Sequence, residues 1–136
     1  MSLSDENRRD IVVYRVERSE IALKQAKANL EMGFLEVAAN RLYYAAYYVV
    51  SALLIAHRIP ARSHEGNIHL FGLHFVKTGK IEREDGKLLS KLFSLRLTGD
   101  YSDRFDLTDA DVAPLFQPTE AFVKKISSMA MMTFDV

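Results

Sequence analysis

Residues 34–58, FLEVAANRLYYAAYYVVSALLIAHR, decide the fold. Ala38, Leu42, Ala45, Val49, Leu53 and Ala56 recur at helical spacing and form one apolar stripe. Ala39, Ala46, Val50 and Tyr43, Tyr44, Tyr47 and Tyr48 fill the other sides; the tyrosines form two i, i+4 pairs that can stack bases but more often serve as core or interface packing. A helix that is apolar nearly all round must be covered by others, so this one is expected at the centre of the molecule. Its most apolar part, residues 42–56, is 15 residues long and carries four tyrosines, too short and too polar-tipped to span a bilayer. Arg41 is the exception on this helix, a charge that must find a partner or an anion.

The flanking segments supply the cover. Val12, Val16, Leu23, Ala26 and Leu30, with Arg9, Glu17, Arg18, Lys24 and Lys27 between them, predict an amphipathic helix over residues 7–32 that stops at Gly33. Pro60 prevents the central helix from continuing, and Ser63 is placed to cap a third helix with Glu65 in its first turn. Ile68, Phe71 and Phe75 are its buried stripe, and it ends at Thr78 and Gly79. Leu88, Leu89, Leu92, Phe93 and Leu95 predict a fourth helix over residues 83–98 that stops at Gly99. Thr108 and Asp111 resemble a capping box opening a last helix, whose stripe is Val112, Leu115, Phe122, Ile126 and Met129. Pro114 and Pro118 must kink or break its first part. The expected fold is all-α, an antiparallel up-down four-helix bundle with an additional C-terminal helix, in one domain over residues 1–136.

The composition narrows the chemistry. Eighteen basic and 18 acidic side chains give zero formal net charge, which excludes a nonspecific polyanion binder but not a local basic cleft. With no cysteine, disulfides, thiolate zinc sites, iron–sulfur clusters and a cysteine nucleophile are excluded. The polar start, MSLSDENRRD, has no apolar core of a secretory signal, and a soluble cytoplasmic protein is expected. His57, His64, His69 and His74 have no acidic residues at ligand spacing, and His69 and His74 fall on different faces of a helix, so no metal or cofactor is expected. Nor is there a Gly-rich phosphate loop, a Gly-x-Ser-x-Gly elbow or a paired-carboxylate spacing.

If successive helices alternate in direction, one end of the bundle collects Arg8, Arg9, His57, Arg58, Arg62, His64, Glu65, Arg96, Asp100 and Tyr101. Arg offers a planar fork of donors to phosphate, His carries a proton near neutral pH, and Tyr stacks on a base or bonds an oxygen. The alternative for Arg96 is structural. It lies in the last turn of its helix, where Asp100, four residues on, can simply pair with it.

The stretches NRLYYAAYYVVSALL (40–54), RSHEGNIHLFGLHFVKTGKI (62–81) and KLFSLRLTGDYSD (91–103) resemble the HEPN domain family, closest to its small stand-alone prokaryotic members. The resemblance runs over residues 8–129 and is most specific in Arg41 to Ala45, Ser63 and His64, Phe75 to Gly79, and Arg96 to Tyr101. It implies a helical bundle that forms a homodimer and partners a minimal nucleotidyltransferase as a toxin–antitoxin module. It also implies nucleotide or RNA binding, and in many members metal-independent RNA cleavage by an Arg followed, after four to six residues, by a His. Here the positions for that His hold Tyr101, Ser102 and Asp103. A literal match at Arg58 and His64 lies between the second and third helices instead.

Two readings follow. In the first, the chain is a nucleotide- or RNA-binding domain, with Arg96 on phosphate, Asp100 orienting Arg96 or His64, and Tyr101 on base or ribose. His64 then stands in as proton carrier, and Arg58 and Arg62 flank the site. In the second it is a non-catalytic dimerising adaptor for a partner protein, and Arg96 and Asp100 are only a structural pair.

Overall fold

A computed structural model describes residues 4–101 and 107–134, with Asp100 and Tyr101 given by backbone alone. The helices are α1 (Asp5–Glu31), α2 (Leu35–Ala56), α3 (His64–Phe71), α4 (Arg83–Tyr101), α5 (Asp109–Val112) and α6 (Phe116–Met132). No strand occurs among the described residues, so the all-α class expected from the sequence is the class observed. Among the described residues no helix is long and apolar enough to cross a membrane.

Local chemistry sets the boundaries. Ser4 Oγ accepts from the Asn7 amide at 3.1 Å to open α1, and Gly33, at φ 80°, closes it. The Phe34 amide reaches Asn29 O at 2.8 Å and the Gly33 amide reaches Leu30 O at 3.2 Å, the paired bonds that satisfy orphan carbonyls at a helix end. Gly33→Ala puts a Cβ into this left-handed conformation and is expected to cost about 1 kcal/mol in a urea titration. α2 ends by the same pair of bonds, Ile59 N–H to Leu54 O and Arg58 N–H to Ile55 O, but here the left-handed residue is Arg58, at φ 62°. Its guanidinium pairs with Asp5 at the start of α1, which ties the two helix ends together.

α2 is central, as expected. Its buried residues include Ala38, Leu42, Tyr43, Ala46, Val49, Val50, Leu53 and Leu54, and α1, α3, α4 and α6 all pack on it. Three contacts fix α1 antiparallel to it: Arg8 Nη1 donates to Ile55 O at 3.0 Å, Arg18 lies over Tyr48, and Arg41 reaches Gln25. α4 is antiparallel to α2 as well, with Arg96 over Tyr43 and Gly99 against Glu36. α4 runs through Gly99 rather than stopping there. A Cβ at Gly99 would lie 3.2 Å from Leu107 Cδ1 and 3.6 Å from Glu36 Cα, so this glycine serves close approach, not termination.

The capping box forms as expected: Thr108 donates through both its amide and its hydroxyl to Asp111 Oδ2, at 2.9 and 3.0 Å. These bonds hold the Asp111 carboxyl below its usual range. Pro114 falls in the single 3₁₀ turn, Ala113–Leu115, that separates α5 from α6. Pro118 sits in the first turn of α6, where its missing N–H is not needed. α6 then buries Phe122, Val123, Ile126 and Ala130, places Phe122 on Phe71, and pairs Lys125 with Asp85 of α4 at 2.6 Å.

The course of α3 differs from the expectation. His64, its first residue, lies on Tyr43 and Tyr47 of α2, while Phe75, in the π-helical turn Gly72–Val76 that prolongs it, lies on His57. α3 therefore runs in the same direction as α2. The physical reason is the left-handed turn at Arg58 followed by Pro60, which sends residues 59–63 back along α2 without helix. Tyr43 and His57 are about 21 Å apart along a helix. Residues 57–63 can cover that distance at about 3.3 Å each.

Candidate functional site

The reversal at Arg58 brings two distant polar residues onto one patch of α2. Tyr43 is fully buried, and its hydroxyl lies 2.7 Å from His64 Nδ1. The His64 ring also packs on Tyr47 with centroids 4.4 Å apart and meets Tyr44 edge-on at 5.7 Å. From α4, the Arg96 guanidinium lies 5.5 Å from the Tyr43 ring centre and 5.3 Å from that of Tyr44. Tyr44, Tyr47, His64 and Arg96 are half-buried, so a ligand can reach them.

The electrostatics follow from this packing. Burial first, and then the Arg96 guanidinium, hold the His64 pKa below the usual histidine value, with Glu65 opposing. Burial, aided by Tyr47 and opposed by Arg96, pushes the Tyr43 phenol up. At neutral pH His64 is thus a neutral imidazole beside a protonated phenol. If Tyr43 donates, Nδ1 accepts and Nε2 carries the hydrogen; if Nδ1 donates to the phenol oxygen, Nε2 is free to take a proton. Either arrangement orients the ring by one fixed bond, and the second, with Nδ1 donating to the phenol oxygen, is the one that leaves Nε2 able to accept a proton.

His57 behaves in the same way, lowered by burial and then by Lys80. For both histidines the unfolded chain binds protons at higher pH than the folded one, so stability falls as pH drops below about 6.5 toward the folded values. The urea midpoint is expected to rise with pH through that window and level off above it, and His64→Gln should flatten the rise.

The other expected site residues are dispersed. Arg8 is buried and donates to Ile55 O, and His57 and Arg58 stand beside it at the end of α2. Arg58 lies about 22 Å along α2 from Tyr43. The expectation that one end gathers all these residues is therefore corrected: because α3 starts back along α2, Arg8, His57 and Arg58 occupy one end, and His64 and Arg96 another place. Arg62 is exposed two residues before His64. Asp100 and Tyr101 close α4 one turn beyond Arg96, and their side chains, like Ser102 and Asp103, lie outside the described residues. Among the described residues no three His, Asp or Glu side chains are grouped to hold a metal ion.

Tyr43, Tyr44 and Tyr47, whose i, i+4 spacing signals base stacking less often than core or interface packing, line the site. Arg41, a charge on an apolar helix, lies at its edge. It lies over Tyr44, with Nε and Nη2 donating to Asn40 Oδ1 and Nη1 to Gln25 Oε1.

The HEPN domain family model matches residues 12–129. The chain is 36% identical over 119 residues to a UPF0332 protein of Thermotoga maritima, covering 88% of this chain and 90% of that protein. It is 30% identical over 125 residues to a protein of Methanocaldococcus jannaschii named as a candidate toxin, covering 92% of each. A second protein of that organism with the same kind of name is 26% identical over 110 residues, covering 81% of this chain and 75% of that protein.

Proposed function

Because the chain belongs to the HEPN domain family, we propose that it binds and cleaves RNA at the cluster of Arg96 and His64, as the toxin-like half of a two-component module. The other half is a minimal nucleotidyltransferase, and the chain itself acts as a homodimer. The relatives named as candidate toxins support the module. One observation carries the site: Arg96 and His64, 32 positions apart, share the rings of Tyr43 and Tyr44.

In this reading the Arg96 fork holds a phosphodiester, and His64 takes the proton of the neighbouring 2′-hydroxyl. The 2′-oxygen bonds to phosphorus, the bond from phosphorus to the 5′-oxygen breaks, and the imidazolium returns its proton to that 5′-oxygen. The products are a 2′,3′-cyclic phosphate and a 5′-hydroxyl. Arg96, beside the phosphate, stabilises the charge that develops in between. The test is incubation of purified protein with RNA in EDTA, with product ends analysed chemically. Cyclic phosphate ends are expected, and cleavage that persists undiminished in an Arg96→Ala, His64→Ala double mutant rules the assignment out. RNA bound but uncut would leave binding and remove the transesterification.

A further inference from the structure

We infer that the groove between α4 and α6 is a docking site for an acidic amphipathic helix of a partner protein. The inference is independent of the RNA reading and concerns the opposite side of α4: Lys87 lies nine residues before Arg96, half a turn out of phase with it. The groove has a volume of about 560 Å³, within the range of clefts that hold ligands. Its floor is apolar, made by Leu88 of α4, Leu115 of the 3₁₀ turn and Phe122 of α6, with Pro118 and Ala121 exposed along the α6 wall. The lining extends from Glu84 to Lys91 on α4 and from Pro118 to Lys125 on α6, about 10.5 Å along each helix. That is about two turns, the span over which a helix presents apolar residues at i, i+3 or i+4, and i+7.

The charge on the rim selects the partner. Arg83, Lys87 and Lys91 follow one another at four-residue spacing on α4, and all three are exposed. Like charges at this spacing repel. Among the described residues none of the three is in an ion pair, whereas Lys125 across the groove is held by Asp85 at 2.6 Å. Glu84, the remaining carboxylate of the lining, pairs with none of them either. In a chain with zero net charge, a row of cations beside an apolar floor matches a helix that carries large aliphatic side chains on one stripe and carboxylates next to it. An RNA strand would meet the cations and leave the floor unfilled, because the Phe122 ring is 1% exposed and offers no face for a base to stack on. Two copies of this chain meeting groove to groove would set one concave surface against another, with the same result.

The test is selection on the full chain from a displayed library of random peptides, about 16 residues long so that a helix can form, followed by fluorescence polarisation of the most enriched peptide. The enriched sequences should carry leucine-like residues at helical spacing with Asp and Glu beside them. A Lys87→Glu, Lys91→Glu double variant should bind the selected peptide at least about tenfold more weakly. Ala121→Arg, a change at an exposed position that fills the groove, should weaken it as much. A version of the peptide with its carboxylates changed to lysine should prefer the double variant to the wild type. RNA affinity and cleavage should be the same in all these proteins. No enrichment, enrichment of basic peptides, or a selected peptide that binds both variants like the wild type would overturn the docking site. So would loss of RNA affinity in the double variant, which would make the row a nucleic-acid surface. A change of oligomeric state in sedimentation of Ala121→Arg, with peptide affinity unaltered, would make the groove a contact between copies and overturn it too. Each of these results leaves the Arg96 site intact, and a wild type that fails to cleave RNA leaves the docking site intact.

Discussion

Arg96→Lys should retain the fold and lose RNA cleavage by about a hundred- to a thousandfold, the range seen when one preorganised donor to a developing charge is removed. The substitution keeps the positive charge. What it removes is the planar fork that can meet two phosphate oxygens at once while lying on Tyr43 and Tyr44. A lysine ammonium is a point charge on a flexible stem, so it would attract the phosphate without fixing it. The stability change should be small, about 0.5–1 kcal/mol, because lysine keeps a cation beside the same rings. His64→Gln should lose about a hundred- to ten-thousandfold, since an amide cannot carry a proton in this step. Two groups serving one transition state are not additive, so the double mutant should lose little more than the worse single. Cleavage rates and urea midpoints measured on the same preparations decide the matter. An Arg96→Lys protein that cleaves as fast as the wild type would remove Arg96 from the chemistry, and one that fails to fold would show it to be a structural residue.

The parts of this molecule that are legible in its sequence are those governed by local rules. Gly33 ends α1 and Ser63 opens α3 as expected, with Ser63 Oγ accepting from the Gly66 amide at 2.8 Å. Thr108 and Asp111 form their box, and the all-round apolar pattern of α2 identifies the central helix, because periodicity and capping depend only on nearby residues. The direction of α3 is not local. It follows from a left-handed Arg58, a conformation that a non-glycine residue rarely takes and its sequence does not announce. That one turn decides whether His64 stands with Arg58 or with Arg96. Helices that alternate in direction predict that His64 meets Arg96 at the α2 end, with Arg8 and Arg58. They meet instead on the flank of α2, on tyrosines whose spacing points more often to packing than to a site. Gly99 departs from its expected role as a stop for a related reason: a glycine inside a helix marks either an end or a close approach, and only the position of Glu36 distinguishes them.

Phe122→Ala should be the most destabilising single change, at about 3–5 kcal/mol, against a total stability of about 5–15 kcal/mol for a domain of this kind. Phe122 is 1% exposed and packs on Phe71 of α3 at 5.8 Å, so it joins the C-terminal helix to the helix that carries His64. It also forms part of the floor of a groove of about 560 Å³ between α4 and α6, beside Leu88, Leu115 and Pro118. Truncation therefore removes ring contacts on two sides, and the neighbouring backbones of two helices cannot close over the space. Met132, 67% exposed at the end of the same helix, provides the comparison: Met132→Ala should change stability by less than about 0.5 kcal/mol. If α6 were merely laid against a complete bundle, the two substitutions would differ little. A difference of several kcal/mol in urea titrations is expected, because α6 supplies Phe122, Val123, Ile126 and Ala130 to the same core that α2 centres. The His64 cluster then depends on α6 at one remove: Phe71 is two turns along α3 from His64, and a helix loosened at Phe71 cannot hold the imidazole 2.7 Å from Tyr43. Phe122→Ala is thus expected to lower RNA cleavage even in conditions where the variant remains folded, while leaving the product ends unchanged.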